Sequence, residues 1–356
     1  MWPFIIAFTI SFLITPIVIK FYKSKNWVDD PKKIKHAKKT HSKAVPRGGG
    51  LVIYIGILLT AIIFLQIDKY LIGILLGGLL LVIGGTLDDI FDIHPLLRLG
   101  INTLAALIVV GSGIGIAYIT NPFSSEVIHL NQPQIPIFLF GKTRTIWIVA
   151  DLFALLFIVW NMNIVNWSKG VDGQLPGFVS VAALMIGFLS YQFIDDPTQF
   201  NTAHLSFIVA GSYLGLLFWN WYPQKIMPGY GAGSLGGYFL SILAILSGAK
   251  VATTLMVLAI PTADAIFTIS RRILAGKSPF WGDRGHLHHK LLDVLGWGRR
   301  RIAVFYWMSS LGLGLLSLRL NTWGKIITLA LVMSLVFGFL IWAKFQQSKN
   351  LHESNR

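Results

Sequence analysis

The chain has 356 residues, 54% of them hydrophobic and only 13% charged. That is about half the charged share of a soluble domain, so a soluble enzyme or a nucleic-acid-binding module is not the class to expect. Cysteine is absent, which excludes a disulfide framework, a thiolate metal site and a cysteine nucleophile. A formal net charge of +15 on so apolar a chain points to loops facing anionic lipid, or to a site for phosphorylated substrates.

The apolar stretch from Phe4 to Ile19 lacks a leading basic region and a small-residue cleavage site, so a retained first span is expected rather than a removable signal peptide. A spanning helix needs about 20 mostly apolar residues. Eleven stretches qualify: 3–21, 49–67, 70–87, 98–119, 145–164, 175–194, 204–222, 233–249, 250–270, 302–320 and 324–343. The 233–249 stretch is short and rich in Gly, which permits close helix contact. The expected fold is therefore an all-α integral membrane protein, a polytopic bundle of about eleven transmembrane helices. It forms one unit over 1–345, followed by a short polar tail over 346–356 that is expected to lack structure. The segment 120–144, with Asn121-Pro122 and Gln132-Pro133, reads as an extended loop containing a short hairpin.

Orientation follows the basic loops. The loop from Tyr22 to Arg47 carries Lys23, Lys25, Lys32, Lys33, Lys35, Lys38, Lys39, Lys43 and Arg47, and the loop from Arg271 to Arg301 carries eight Lys or Arg. Eleven spans place both loops on one side, expected to be cytoplasmic, with the N-terminus outside.

Polar residues gather at the ends of the spans on that side. The third span ends in Asp88-Asp89, and adjacent carboxylates at a membrane face must be solvated, paired or holding a cation. A solvated helix end and a metal-phosphate site are both open readings. The fifth span runs into Asn163-Ile164-Val165-Asn166-Trp167-Ser168-Lys169-Gly170-Val171-Asp172-Gly173. There Asn163 and Asn166 share a helix face, and the glycines permit a tight turn and close backbone approach to a ligand; an ordinary capped loop is the bland alternative. The loop after the ninth span contains Arg271, Arg272, Asp283, Arg284, His286, His288 and His289, with three of the nine histidines inside four positions. Such a cluster suits phosphate or metal binding, although without cysteine a zinc site is disfavoured. A secondary transporter would show internal repeats and polar groups at the midplane, and neither is present. Asp151 lies within the fifth span, toward its outer half, where a bundle-facing hydrogen bond is expected.

These residues carry a resemblance to the polyprenyl-phosphate N-acetylhexosamine-1-phosphate transferases (the MraY–WecA family), nearer to its WecA-like branch. The matching elements are Asp88-Asp89, Asn163 and Asn166 followed by Gly170-Val171-Asp172-Gly173, Ser278-Pro279-Phe280, Asp283-Arg284-Gly285-His286 and Leu287-His288-His289. Lys43 to Gly49 match the end of the first basic loop, and Pro261 and Asp264 precede the histidine loop as in the family. The resemblance implies transfer of a sugar 1-phosphate, N-acetylhexosamine-1-phosphate such as GlcNAc-1-phosphate, from a UDP-sugar to polyprenyl or undecaprenyl phosphate. The products would be UMP and a polyprenyl-diphosphate sugar that initiates a cell-envelope glycan.

It further implies Mg2+ as cofactor, held by Asp88, Asp89 and Asp172, and a homodimer. Asp88 would orient or deprotonate the lipid phosphate, supported by Asp89. Asn163, Asn166 and Asp172 would position nucleotide and phosphates. His286, His288 and His289 would hold the diphosphate, with Arg271, Arg272, Asp283 and Arg284 in support, and Lys43 would lie near the nucleotide. The chain departs from the family pattern twice, with Lys169 in place of the first Asp of Asp-Gly-x-Asp-Gly and Gly231 in place of the Asp of Gly-Asp-x-Gly-Ser. Three readings follow. They are a site rebuilt around magnesium, a site in which Lys169 acts as a point charge on the diphosphate, and a non-catalytic relative that binds lipid phosphate or nucleotide sugar.

Overall fold

The computed structural model describes the whole chain except residues 32–42, 122–123, 125, 140–141, 194, 248–249, 280–282 and 355–356. Lys32, Lys33, Lys35, Lys38 and Lys39 of the first basic loop, and Phe280 of the second, lie outside the described residues. The chain begins with α1 (Trp2–Ser24), the two-residue strands β1 (Val28–Asp29) and β2 (Val45–Pro46), α2 (Gly49–Phe64), α3 (Lys69–Phe91) and α4 (Pro95–Gly111). Strands β3 (Tyr118–Thr120), β4 (Val127–His129), β5 (Gln134–Leu139) and β6 (Lys142–Trp147) follow, then α5 (Ile148–Trp167), α6 (Gln174–Tyr191), α7 (Pro197–Asn220) and α8 (Gly229–Leu246). The last elements are α9 (Lys250–Val257), α10 (Ala259–Leu274), α11 (Leu287–Asp293), α12 (Arg299–Arg319) and α13 (Thr322–Ser354).

This is an all-α polytopic membrane protein. Among the described residues eight helices are long and apolar enough to cross a membrane, or nine if α9 and α10, bent by 81° at Leu258, make one broken span. α2 and α4 are apolar but have only 16 and 17 residues; at about 1.5 Å per residue they rise roughly 25 Å, short of a core of about 30 Å. Each of the eleven expected spans falls on one of these helices, but length and composition alone do not make all eleven a crossing. The loop after α4 forms two antiparallel hairpins, β3–β4 and β5–β6, the second with Gln134 opposite Trp147. The tail is not the irregular segment expected. α13 carries helix through to Ser354, and Lys290 ties it back by donating to Gln347 Oε1.

Lipid offers no hydrophobic drive between helices, so close backbone packing has to supply it. Glycine provides the approach at three crossings. On α7, Gly211 and Gly215 lie against the backbone of Phe4 and Phe8, so α1 is held at a spacing no side chain permits. On α8, Gly233 and Gly237 lie against Asn166 and Asn161 of α5. Gly50 of α2, Gly85 of α3 and Gly231 of α8 meet in one three-helix contact. α8 is thereby the central helix, buried along almost its whole length, and its N-terminal end is fixed against α2, α3 and α5.

Candidate active site

A cavity of about 390 Å³ opens at one end of the bundle, within the usual size range of small-molecule sites. The C-terminal ends of α1, α3, α5, α7 and α10 lead into it, as do the N-terminal ends of α2, α4, α6 and α8. α12 begins beside it, with Arg299 Nη1 3.8 Å from Asp172 Oδ2. The three sequence clusters therefore converge because successive helices alternate in direction. The β hairpins, between the C-terminal end of α4 and the N-terminal end of α5, lie at the opposite end.

Asp88 and Asp89, the last acids of α3, diverge. Asp88 pairs with Arg98 on the first turn of α4, Nε to Oδ1 at 2.5 Å, and the same guanidinium reaches Asp92. Asp89 accepts the Tyr230 N–H at the start of α8, at 2.9 Å and 3.2 Å to its two oxygens. A Cβ on Gly229 would overlap that carboxylate, and Gly229 also adopts φ +69°, so the residue has two reasons to be glycine. Asp29 and Arg47, from the first basic loop, form an ion pair in the same wall.

After α5 the chain turns through Gly170 and Gly173. A side chain at Gly170 would occupy the His288 ring. Gly173 takes φ +77°, and its N–H donates to Asn220 Oδ1 at 2.9 Å. Asp172 accepts the Gln224 N–H at 3.2 Å. Asn166 faces the cavity, and its Oδ1 is buried without a protein donor. Lys169 projects into the wall and donates from Nζ to Gly229 O at 2.7 Å. Burial there and the guanidinium of Arg47 lower its pKa, against the pull of Asp89, to about 8.

The histidine loop is held by two acids. Asp264 of α10 lies 3.0 Å from His286 Nδ1, and it also accepts the Leu287 N–H at 2.8 Å. A carboxylate can only accept, so Nδ1 carries the proton and Nε2 is left to accept from Arg272 at 3.3 Å. Asp283 receives both Arg271 and Arg272. Burial raises its pKa, but the Gly285 N–H and the two guanidinium groups outweigh burial and hold it down at about 2. His286 and His288 stack at 5.6 Å, with His289 4.3 Å beyond His288. Burial first, then cationic neighbours including Arg284, lower the pKa of His288 well below its ordinary value and that of His289 to about 4. Both rings are neutral at pH 7.

Of the expected site residues, Asp88, Asp89, Asn166, Lys169, Asp172, Arg272, Asp283, His286, His288 and His289 line the cavity. Arg271 stands behind Asp283 rather than in the lining. Arg284 pairs with Asp293 at 2.7 Å and likewise does not line the cavity. Asn163 is turned away and donates to Val159 O on its own helix at 2.8 Å, and Lys43 is exposed. Asp151 also serves its own helix, accepting the Trp147 N–H at 3.0 Å at the start of α5. Sequence reasoning missed Arg98 and Asp29 as site residues. Their signal was a charge at the end of an otherwise apolar helix and an adjacent pair of acids, Asp29-Asp30, in a loop otherwise rich in lysine.

The donor set does not fit the magnesium site that the resemblance implies. Mg2+ requires near-octahedral oxygen ligation. Asp88 is committed to Arg98, Asp89 to a backbone N–H, and Asp172 to Gln224 N with Arg299 alongside. Among the described residues no group of three or more His, Cys, Asp or Glu side chains is arranged to hold a metal. Gly231 faces the three-helix contact, where a Cβ would meet Gly50 and Gly85 at 3.5 and 3.6 Å, and it does not line the cavity.

A family model described as glycosyl transferase family 4 matches residues 71–248, half of the chain. The chain is 28% identical over 313 residues to a probable undecaprenyl-phosphate N-acetylglucosaminyl 1-phosphate transferase of Bacillus subtilis (strain 168), covering 85% of this chain and 81% of that protein. It is 27% identical over 300 residues to the undecaprenyl-phosphate alpha-N-acetylglucosaminyl 1-phosphate transferase of Thermotoga maritima, covering 83% and 82%. It is also 27% identical over 336 residues to the phospho-N-acetylmuramoyl-pentapeptide-transferase of Orientia tsutsugamushi, covering 88% and 90%.

Proposed function

The chain belongs to glycosyl transferase family 4, and on that footing we propose that it transfers GlcNAc-1-phosphate from UDP-GlcNAc to polyprenyl phosphate. An oxygen of the lipid phosphate bonds to the sugar-bearing phosphorus of the donor. The bond from that phosphorus to the bridging oxygen breaks, and UMP leaves with the electron pair. Nothing is oxidised or reduced, and the product is a polyprenyl-diphosphate sugar of the kind that starts a cell-wall glycan.

The observation that carries this reading is the convergence, in one cavity at one end of the bundle, of paired acids, an Asn–Gly–Asp turn and a histidine loop backed by Arg272. Phosphoryl transfer asks a protein mainly for positioning and for charge complementary to the transferring group. Arg98, Arg272 and Lys169 supply positive charge, and His286 with the neutral His288 and His289 supplies ring nitrogens. Asp88 and Asp89 stand at the α3 end, where an acceptor phosphate from the bilayer arrives. The loops that lead to the cavity end are rich in Lys and Arg, which supports a cytoplasmic orientation for the site, the side on which UDP-sugars are available.

Detergent-purified protein given undecaprenyl phosphate and radiolabelled UDP-GlcNAc should move label into lipid and release UMP, and Asp88→Asn should lose that transfer. No label in lipid across several UDP-sugars, beside a working control enzyme, would favour the reading in which the chain binds without turnover.

A further inference from the structure

Six carboxylates line the cavity (Asp29, Asp88, Asp89, Asp92, Asp172 and Asp283) against four fixed cations, Arg47, Arg98, Lys169 and Arg272. Arg271 and Arg299 reach two of those carboxylates from outside the lining, so these six carboxylates face six cations, four in the lining and two behind it. Returning residue 169 to an aspartate would remove two positive charges and leave a deficit equal to one divalent cation.

Geometry places Lys169 where such a charge is useful. It crosses from the α5–α6 turn to the N-terminal end of α8 and donates to Gly229 O at 2.7 Å. The residue after Gly229, Tyr230, holds Asp89 through its backbone N–H, and its ring lies 5.5 Å from the Lys169 Nζ. The ammonium is thus anchored by one hydrogen bond beside the paired acids. An ammonium has three donors, and after Gly229 O it retains two. The acids a metal would need are engaged elsewhere, as described above.

We propose that the Lys169 ammonium is the resident cation of this site, receiving the diphosphate charge of the nucleotide donor, so that nucleotide binding and transfer proceed without a divalent metal. The transfer half of this inference rests on the transferase reading above; the binding half does not.

The test is titration of UDP into the full-length detergent-purified protein, with EDTA and then with excess magnesium. The dissociation constant is expected to agree within about twofold between the two conditions. Lys169→Ala should weaken binding about tenfold or more in both, the loss expected for one charge-assisted hydrogen bond. Lys169→Arg should keep most of the affinity. Lys169→Asp should bind UDP only when magnesium is present. Thermal unfolding of each variant separates misfolding from lost affinity, and the wild-type EDTA comparison needs no variant. Wild-type affinity falling about tenfold in EDTA, saturable Mn2+ binding seen by electron paramagnetic resonance, or a folded Lys169→Ala that binds like wild type would each overturn the proposal. Label transfer is assayed in the same two conditions. Transfer that survives EDTA supports the proposal. Transfer that requires magnesium overturns it. No transfer in either condition counts against the transferase reading, and the UDP titrations then decide the role of Lys169.

Discussion

His286 donates from Nδ1 to the Asp264 carboxylate 3.0 Å away, across 22 residues of chain. The same carboxylate accepts the Leu287 N–H, so one acid sets both the tautomer of the imidazole and the start of α11. Asp264→Asn preserves the shape but removes the carboxylate that fixes the proton on Nδ1. We expect kcat/KM for label transfer to fall about ten- to a hundredfold. The melting temperature should change less than in Asp264→Ala, which also strips the Leu287 N–H of its acceptor.

Neutral histidines make the fold acid-sensitive. His289 titrates near 6.5 when unfolded and near 4 when folded. Between those values the unfolded chain binds more protons, and stability drops as pH falls. The contribution is whole above pH 6.5 and gone below about 4, worth up to about 3 kcal/mol. His288 shifts in the same direction. Melting temperature measured from pH 7 to pH 4.5 should decline, and His289→Gln should decline less steeply.

Turnover should fail on the alkaline side for a different reason. Lys169 loses its proton near pH 8 in the free enzyme, lowered by burial and by Arg47 and Arg98, and supported by Asp89 and Asp88. As kcat/KM follows the free enzyme, it should fall as pH rises through about 8. Lys169→Arg, whose guanidinium stays charged, should move that limb upward by more than one pH unit.

The three-glycine contact separates two positions that look alike in sequence. A Cβ at Gly85 would overlap the Gly231 backbone, whereas one at Gly231 meets its neighbours at ordinary distances of 3.5 Å or more. Gly85→Ala should therefore destabilise by about 1–3 kcal/mol and lower activity by displacing Asp88 and Asp89. Gly231→Ala should leave the melting temperature within a few degrees of wild type. Thermal unfolding in one detergent distinguishes the two.

Much of this arrangement was legible in the chain. Long apolar runs announce membrane helices because a bilayer demands them. Asp88, Asp172 and His288 stood out because polar side chains are costly at a membrane boundary. Partnerships were less legible. That Asp88 faces Arg98 while its neighbour Asp89 faces the α8 backbone depends on how three helices cross. Asn163 and Asn166, three residues apart, differ by some 60° around the helix, enough for one to face the cavity and the other to satisfy its own backbone. The 81° break between α9 and α10 falls at Leu258, and Pro261 in the first turn of α10 marks it: proline cannot donate to Val257 O four residues back, and that carbonyl accepts from Ser310 Oγ instead, but the size of the bend was not legible.

The alternation of helix ends around the cavity imposes a rule of parity on the chain. Between Asp29 and Arg299, each passage through the bundle reverses the direction of the backbone, and every second one returns it to the cavity end. Deleting one internal crossing would invert everything after it and deliver the downstream residues to the hairpin surface. Asp172 would then be separated from Asp88 by the thickness of the bilayer. Changes in length are therefore confined to the loops, to whole pairs of helices, or to positions beyond α12, where α13 can be altered without reversing any residue of the site.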